Sequence, residues 1–367
     1  MEWSPQQKQA LETVQRWYKS GNNQVCRVFG FAGTGKTTLA RFFADMIKGQ
    51  TIYGAYTGKA SLVMRKSGCN GAVTIHSMIY MPQINHKTKT VEFILDEENG
   101  PSNYDLIVID ECSMVNEEVG KDLLSFGVPI LVLGDPAQLP PVKGGGFFTE
   151  QDPDAMLTEI HRQAEGNPIV KLATDVREGR ALDCGIYGES KIIRSSDLVA
   201  GEMSGADQVL VGTNRTRKSL NDKFRKNLGM NGLRPVSGDR LVCLQNDKMV
   251  KIFNGGLFTV IDRDDYVEDR KHCMELTLSS DDYPNRGEIE AIVRRECFEG
   301  GLSDVPWKYQ LGTQKFDYGY ALTVHKSQGS QWDDVMLFDE SGAFRDNAQR
   351  WLYTGITRAA KRITIVR

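Results

Sequence analysis

No stretch of this sequence approaches the roughly 18 consecutive apolar residues that a membrane-spanning helix requires. The amino terminus, Met1-Glu2-Trp3-Ser4-Pro5, lacks the basic start and apolar segment of a secretory leader. Cysteine is sparse. The seven cysteines (26, 69, 112, 184, 243, 273 and 297) are odd in number and scattered, with no C-x-x-C pair. That spacing speaks against zinc and iron–sulfur sites and fits reduced thiols in the cytoplasm. Excess charge is missing too: 45 Lys and Arg against 48 Asp and Glu give a net charge of −3. Any polyanion site must therefore be a local positive groove. There is no solenoid-period repeat and no low-complexity tract. What remains is 40% hydrophobic and 25% charged over 367 residues, enough for two or more globular domains.

One stretch organises the rest: Gly30-Phe31-Ala32-Gly33-Thr34-Gly35-Lys36-Thr37-Thr38. It follows the apolar run Val25 to Phe29 and opens onto a helical pattern, Leu39 to Met46. Strand, glycine-rich loop and helix at G-x-x-x-x-G-K-T spacing form a phosphate-binding loop. Glycines let the backbone wrap a phosphate, and N–H groups at the helix start supply positive potential. Lys36 can reach the β- and γ-phosphates, and the Thr37 hydroxyl can ligate Mg²⁺. The chain is expected to bind a nucleoside triphosphate.

The remaining pattern is α/β. Ser4-Pro5 starts a helix to about Lys19, and Gln7 near its start either faces solvent or reads an adenine edge. Thr51 to Tyr56 is a strand ending in Thr57-Gly58-Lys59, followed by Thr74-Ile75-His76. His76 is as well suited to the core as to a ligand. Val91 to Leu95, preceded by a polar turn, is expected in a small β-hairpin insertion. Leu106 to Ile109 is a buried parallel strand ending in Asp110 and Glu111. The first acid is expected to hold Mg²⁺ and the second to act as base for an attacking water. A further core strand, Ile130 to Leu133, leads to Asp135 and Gln138, which either cap a turn or sense the γ-phosphate. Gly144-Gly145-Gly146 and the acidic Glu150 to Asp154 are the expected link to a second lobe. There Val209 to Asn214, Phe316 to Leu322, Val335 to Phe338 and Arg362 to Val366 supply strands, and Val236 to Tyr309 reads as a small barrel-like β module.

Taken together, these stretches resemble superfamily 1 helicases, specifically the 1B branch with its RecD/Dda-like group. Gln7 matches the Q motif, Gly30 to Thr38 motif I, Asp110-Glu111 motif II and Gly134 to Gln138 motif III. Arg162 in T-E-I-H-R-Q resembles motif IV, Thr323 to Gln331 motif V, and Tyr353 to Ala359 motif VI. Two departures stand out: Tyr56 where motif Ia often has proline, and Gln331 where motif V often has an acid.

The resemblance implies two RecA-like parallel-sheet P-loop lobes. The first would comprise 1–77 and 102–155, with a β-hairpin wedge at 78–101. The second would comprise 156–235 and 310–367, with an SH3-like insertion at 236–309. ATP and Mg²⁺ would sit between the lobes, contacted by Gln7, Gly33, Thr34, Gly35, Lys36, Thr37, Thr38 and Gly329, with Thr37 and Asp110 on the metal. Catalysis would use Lys36, Asp110, Glu111 and Gln138, with Arg162 and Arg358 as arginine fingers. Single-stranded DNA, or its junction with duplex, would meet Thr57, Gly58, Lys59, Thr74, His76, Asn214, Thr323, His325 and Lys326. The implied activity is ATP-driven 5′→3′ translocation and unwinding in the cytoplasm, with a replication or single-strand-binding protein as partner. A protein-stripping translocase and an RNA helicase of viral type are the alternatives. Because the motifs reach both ends of the sequence, no fused nuclease or long amino-terminal accessory domain is expected.

Overall fold

A computed structural model describes residues 3–47, 49–85, 90–141, 144–159, 166–199, 201–247, 249–265 and 272–367. Its first element follows from local chemistry. The Ser4 hydroxyl accepts from the Gln7 N–H, and the Gln7 side chain accepts from the Ser4 N–H. With Pro5 in the first turn, this reciprocal cap starts the helix Pro5–Ser20, and Gly21 at φ 63° ends it.

The chain then lays down β1 (Val25–Gly30), β2 (Thr51–Ala55) and β3 (Val73–Thr74). The hairpin β4 (Tyr80–Asn85) and β5 (Thr90–Leu95) interrupts before β6 (Leu106–Asp110), β7 (Ile130–Gly134) and β8 (Ala155–Leu157). All but the hairpin strands join in one parallel sheet, ordered β3-β2-β6-β7-β1-β8. Its middle strands are buried on both faces, which is why Leu106 to Ile109 and Ile130 to Leu133 are uninterrupted apolar runs. Val14, Leu39, Phe43 and Met64 cover one face; Ile75, Val119, Leu123 and Phe148 cover the other.

The second lobe contributes β9 (Gly185–Tyr187), β10 (Ser190–Ile193) and β11 (Gln208–Val211). Next come β12 (Arg240–Cys243), β13 (Leu257–Asp264), β14 (Cys273–Ser280), β15 (Ile289–Arg294) and β16 (Phe316–Tyr318). The chain closes with β17 (Ala321–Thr323), β18 (Trp332–Phe338) and β19 (Ala359–Val366). One sheet runs β17-β11-β18-β19-β10-β9, parallel except for β9. An inserted antiparallel sheet runs β15-β14-β13-β12-β16.

Two boundaries differ from expectation. The glycine and acidic stretch before residue 155 is not where the first lobe ends: Phe148 is buried in its core, and β8 pairs with β1 as an edge strand. Phe316–Tyr318, expected in the second lobe's sheet, instead pairs with β12 and completes the inserted one. Val91 to Leu95 lies in β5, which pairs antiparallel with β4, while the turn at 86–89 falls outside the described residues. No described helix is long and apolar enough to cross a membrane.

Candidate nucleotide and nucleic-acid sites

β1 delivers the glycine-rich loop to the carboxyl edge of the first sheet. Added at Gly30, a Cβ would lie 2.7 Å from Thr34 Oγ1 and 2.8 Å from Leu157 Cβ, so a larger residue cannot be accommodated without displacing the loop. Gly33 and Gly35 both take φ 79°, a conformation glycine adopts without strain. The Thr34 hydroxyl donates to the Phe31 carbonyl at 2.8 Å and braces the loop from inside. No side chain caps the helix Lys36–Met46, so its first N–H groups are available to an anion. The Lys36 ammonium donates to the Gly30 and Phe31 carbonyls at 2.7 and 3.1 Å.

Motif II faces this loop from β6. The Thr37 hydroxyl donates to one Asp110 oxygen at 2.7 Å, while the other accepts from the Glu111 N–H at 2.8 Å. Two hard oxygen donors side by side at a phosphate loop fit Mg²⁺, which takes few protein ligands and keeps phosphate and water for the rest. Glu111 sits at φ 54°, ψ 43°, a left-handed conformation unfavourable for a non-glycine residue. Burial pushes its carboxyl pKa up, opposed first by Arg358; Asp110 and Asp135 push up, and Lys36 pulls down. Arg358, between the helix Ala348–Ile356 and β19, thus acts on Glu111 from the other lobe. It is buried, and its guanidinium donates to the Thr354 and Ser330 carbonyls and to Thr357 Oγ1.

Gly33, Gly35, Lys36, Thr37, Thr38, Asp110, Glu111 and Gly329 line one cleft of about 310 Å³, at the low end of small-molecule sites. Gly329 belongs to the second lobe, has φ 73°, and approaches the first so closely that a Cβ would lie 2.8 Å from Ala60 Cβ. Arg162 falls outside the described residues. Gln7 differs from expectation. Its amide oxygen accepts from Ser4 and its amide nitrogen donates to the Thr34 carbonyl at 3.0 Å, and the residue is buried. It is a strut under the phosphate loop, with no exposed amide edge to offer a base.

Motif III is knitted to the second lobe. Asp135 accepts from the Tyr353 hydroxyl at 2.6 Å, and the same hydroxyl accepts from the Ala32 N–H at 3.2 Å. The Leu139 N–H donates to Thr354 Oγ1 at 2.9 Å, and Gln328 Nε2 donates to the Leu139 carbonyl at 3.0 Å. Gln138 is buried, with an amide oxygen that has no hydrogen-bond partner among the described residues. Burial, then the Asp135 carboxylate, raise the Tyr353 phenol pKa, so it stays a donor. Arg177 lies 3.5 Å from the centre of the Phe31 ring, a second contact from the carboxy-terminal lobe onto the phosphate loop.

A second cleft, of about 280 Å³, is bounded by three units. Tyr56, Thr57, Lys59 and Met114 come from the first lobe; Val242, Cys243, Leu244, Asn254 and Gly255 from the inserted sheet and its turns; His325, Lys326, Gln328 and Ser330 from the second lobe. Among the DNA candidates, Thr57, Thr74 and Thr323 each cap a helix, accepting from Ala60, Ser77 and Lys326 N–H respectively. His76 lies outside this lining, its ring exposed between Tyr56 and Tyr80. Asn214, exposed at the start of Asn214–Asn227, accepts from Arg217. His325 packs on Phe344, and Lys326 is exposed.

Lys59 corrects an expectation. Its ammonium is buried, 3.1 Å from Asp282 of the inserted region and 4.5 Å from the centre of the Trp332 ring. Desolvation lowers its pKa, with Asp282 pulling back up. It is spent on an intramolecular pair, not free for a phosphate. Neighbouring Gly58 is packed against the inserted region, since a Cβ there would meet Phe253 Cβ at 2.5 Å. Sequence reasoning assigned no part to Tyr353, Arg177 or Asp282. Only Tyr353 carried a signal, as the first residue of the motif ending in Arg358.

Comparison with known proteins agrees with this arrangement. Residues 2–197 match the AAA domain family and residues 318–366 the UvrD-like helicase C-terminal domain. The ATP-dependent RecD2 DNA helicase of Deinococcus radiodurans is 28% identical over 91% of this chain and 45% of its own. The ATP-dependent DNA helicase Dda of Enterobacteria phage T4 is 26% identical over 96% of each. The chain thus spans about half of one relative and nearly all of the other. Among solved structures, a Bacteroides Pif1 helicase in complex with ADP-AlF3 and ssDNA superposes with a TM-score of 0.60 at 19% identity, over 99% of this chain and 92% of that one. Pif1 helicase from Candida albicans gives 0.59 at 18% identity, over 100% and 94%.

Proposed function

The chain belongs to the AAA domain family, and on that premise we propose that it is a superfamily 1B helicase of the RecD/Dda-like group, an ATP-driven motor that moves 5′→3′ on single-stranded DNA and opens duplex ahead of it. One observation carries the reading. Gly329 of the second lobe lines the same cleft as Lys36, Thr37, Asp110 and Glu111 of the first, and the second lobe's Tyr353 hydroxyl accepts from the Ala32 N–H of the phosphate loop, so the two lobes meet over the proposed nucleotide site.

In this reading the nucleotide's phosphates lie on the loop N–H groups and Lys36, and Thr37 and Asp110 would hold Mg²⁺, which when bound would supply positive charge against the phosphates. Glu111 orients and deprotonates the attacking water. Arg358 stabilises charge in the transition state from the opposite side, a contribution on the order of 10³-fold or more. Arg162 would act beside it. Since both lobes are needed, nucleotide binding favours approach of the lobes only through contacts stronger in the closed form. DNA would lie in the three-walled cleft, with Lys326 and the backbone near Thr57 and Thr323 on its phosphates. The hairpin β4–β5 would part the duplex.

Support for the 5′→3′ direction comes from the family alone. The test is ATP-dependent unwinding of matched DNA and RNA duplexes with either a 5′ or a 3′ tail. Opening of 5′-tailed DNA alone is the expected result. Preference for RNA would replace DNA as substrate, preference for 3′ tails would reverse the direction, and ATPase without unwinding would favour a protein-stripping translocase.

A further inference from the structure

Two clefts have been described, and a run of hydrogen bonds and turn backbone leads from the phosphate loop beside the first to the lining of the second. The Ala32 N–H, in the phosphate loop, donates to the Tyr353 hydroxyl at 3.2 Å, and that hydroxyl donates to Asp135 at 2.6 Å. Asp135 holds its own turn, accepting from Ala137 N–H on its other oxygen and from Gln138 N–H on its carbonyl. The turn ends at Leu139, which is gripped from the second lobe at both polar groups: its N–H by Thr354 Oγ1 and its carbonyl by Gln328 Nε2. Gln328 lines the second cleft.

Asp135, Gln138, Leu139, Tyr353, Thr354 and Gln328 are buried along this run, and Ala32 and Ala137 are half-buried. Asp135 is 1% exposed and Tyr353 2%, and Gln328 is only slightly more accessible at 4%. A buried hydrogen bond cannot be exchanged for water, so movement of one partner either carries the other with it or leaves a polar group unpaired. Tyr353 is the only member that touches the phosphate loop and motif III through one atom. Its oxygen accepts from one and donates to the other, so a shift of Ala32 alters the bond to Asp135 directly.

We propose that Tyr353 is a positioning residue that couples nucleotide state to single-strand affinity, by linking the phosphate loop at Ala32 to the Asp135–Leu139 turn and so to Gln328 at the second cleft. The proposal rests on the motor reading above, which supplies the two ligands. It assigns Tyr353 no contact with the reacting atoms. The coupling is reciprocal: whatever factor nucleotide exerts on DNA affinity, DNA exerts on nucleotide affinity.

The test measures Kd for a fluorescent oligothymidylate with and without ADP–aluminium fluoride, in the full chain and in Tyr353→Phe. The ratio of the two constants is the readout, since a structural defect that merely weakens binding would change both alike. In the parent chain we expect the nucleotide to change affinity about tenfold, within the usual span of coupling factors. In Tyr353→Phe the ratio falls below about threefold. Asp135→Ala removes the acceptor and is expected to reduce the ratio equally, with the double variant no worse than either single one, as for residues acting through one bond. Should Tyr353→Phe not fold, Asp135→Ala reads the same link. A folded variant keeping the parent ratio overturns the proposal. A parent chain that binds the nucleotide but has no affinity for the oligonucleotide fails differently, because it removes the motor reading itself.

Discussion

Lys59 of the first lobe and Asp282 of the inserted region form an ion pair at 3.1 Å, with both side chains largely withdrawn from solvent. Removing one partner of such a pair leaves the other charge buried and uncompensated, at a cost of about 3 kcal/mol or more. Asp282→Ala is therefore expected to lower the urea midpoint, whereas Asp333→Ala, which removes an exposed pair with Lys361, is expected to cost less than about 1 kcal/mol. The same geometry separates two lysines in DNA binding. Lys326→Ala should weaken oligothymidylate binding and reduce the log–log salt slope by about 0.7, the value for one phosphate contact on a single strand. Lys59→Met should leave that slope unchanged. Fluorescence anisotropy across a salt series checks both.

The Lys36 ammonium rests on two loop carbonyls, poised where phosphates would lie. Lys36→Ala is expected to abolish ATP hydrolysis. Arg358→Ala is expected to retain nucleotide binding while kcat drops on the order of 10³-fold. Undiminished DNA-stimulated turnover in either variant would contradict its role.

Glu111 offers a prediction with a sign. Its carboxyl pKa is raised in the folded protein, so the ionised form is disfavoured there relative to the unfolded chain. The penalty is absent below the unfolded pKa, about 4.3, and grows as pH rises through the folded value. Glu111→Gln should therefore raise Tm at neutral pH, with the gain vanishing as pH approaches about 4. Hydrolysis should be lost at every pH. In the parent chain, the acid limb of kcat/KM, which reports the nucleotide-free protein, should lie above the ordinary carboxylate range. Melting curves and a pH–rate profile test the two halves separately.

The hairpin β4–β5 stands apart from the other three sheets and carries Phe93 65% exposed. Shortening it symmetrically is expected to spare DNA-stimulated ATPase and to reduce duplex opening severalfold. Parallel loss of both activities would show that the hairpin serves the core and not the fork.

Much of this was legible in the sequence for a physical reason. The strands ending in Asp110 and Gly134 are buried on both sides, so they read as unbroken apolar runs, and the phosphate loop follows such a run directly. Short edge strands gave no comparable signal. Ala155–Leu157 is three residues beside an acidic stretch, and Gly185–Tyr187 is mostly exposed. Nor could spacing reveal that Lys59 is paired, because Asp282 reaches it only once the inserted sheet has folded against the first lobe. Gln7 was legible as a helix-start glutamine, yet its commitment to the Thr34 carbonyl depends on where the loop comes to rest. Tyr353 and Asp135 lie 218 positions apart, and nothing local announces their bond.

Gly329 sets how near the halves of the protein can come. With its missing side chain facing Ala60 and Thr57 across the divide, the hydrogen on its α-carbon acts as the spacer of the joint. Even a methyl group there would work like a shim in a hinge, propping the jaws ajar by about its own thickness and leaving Arg358 short of its target.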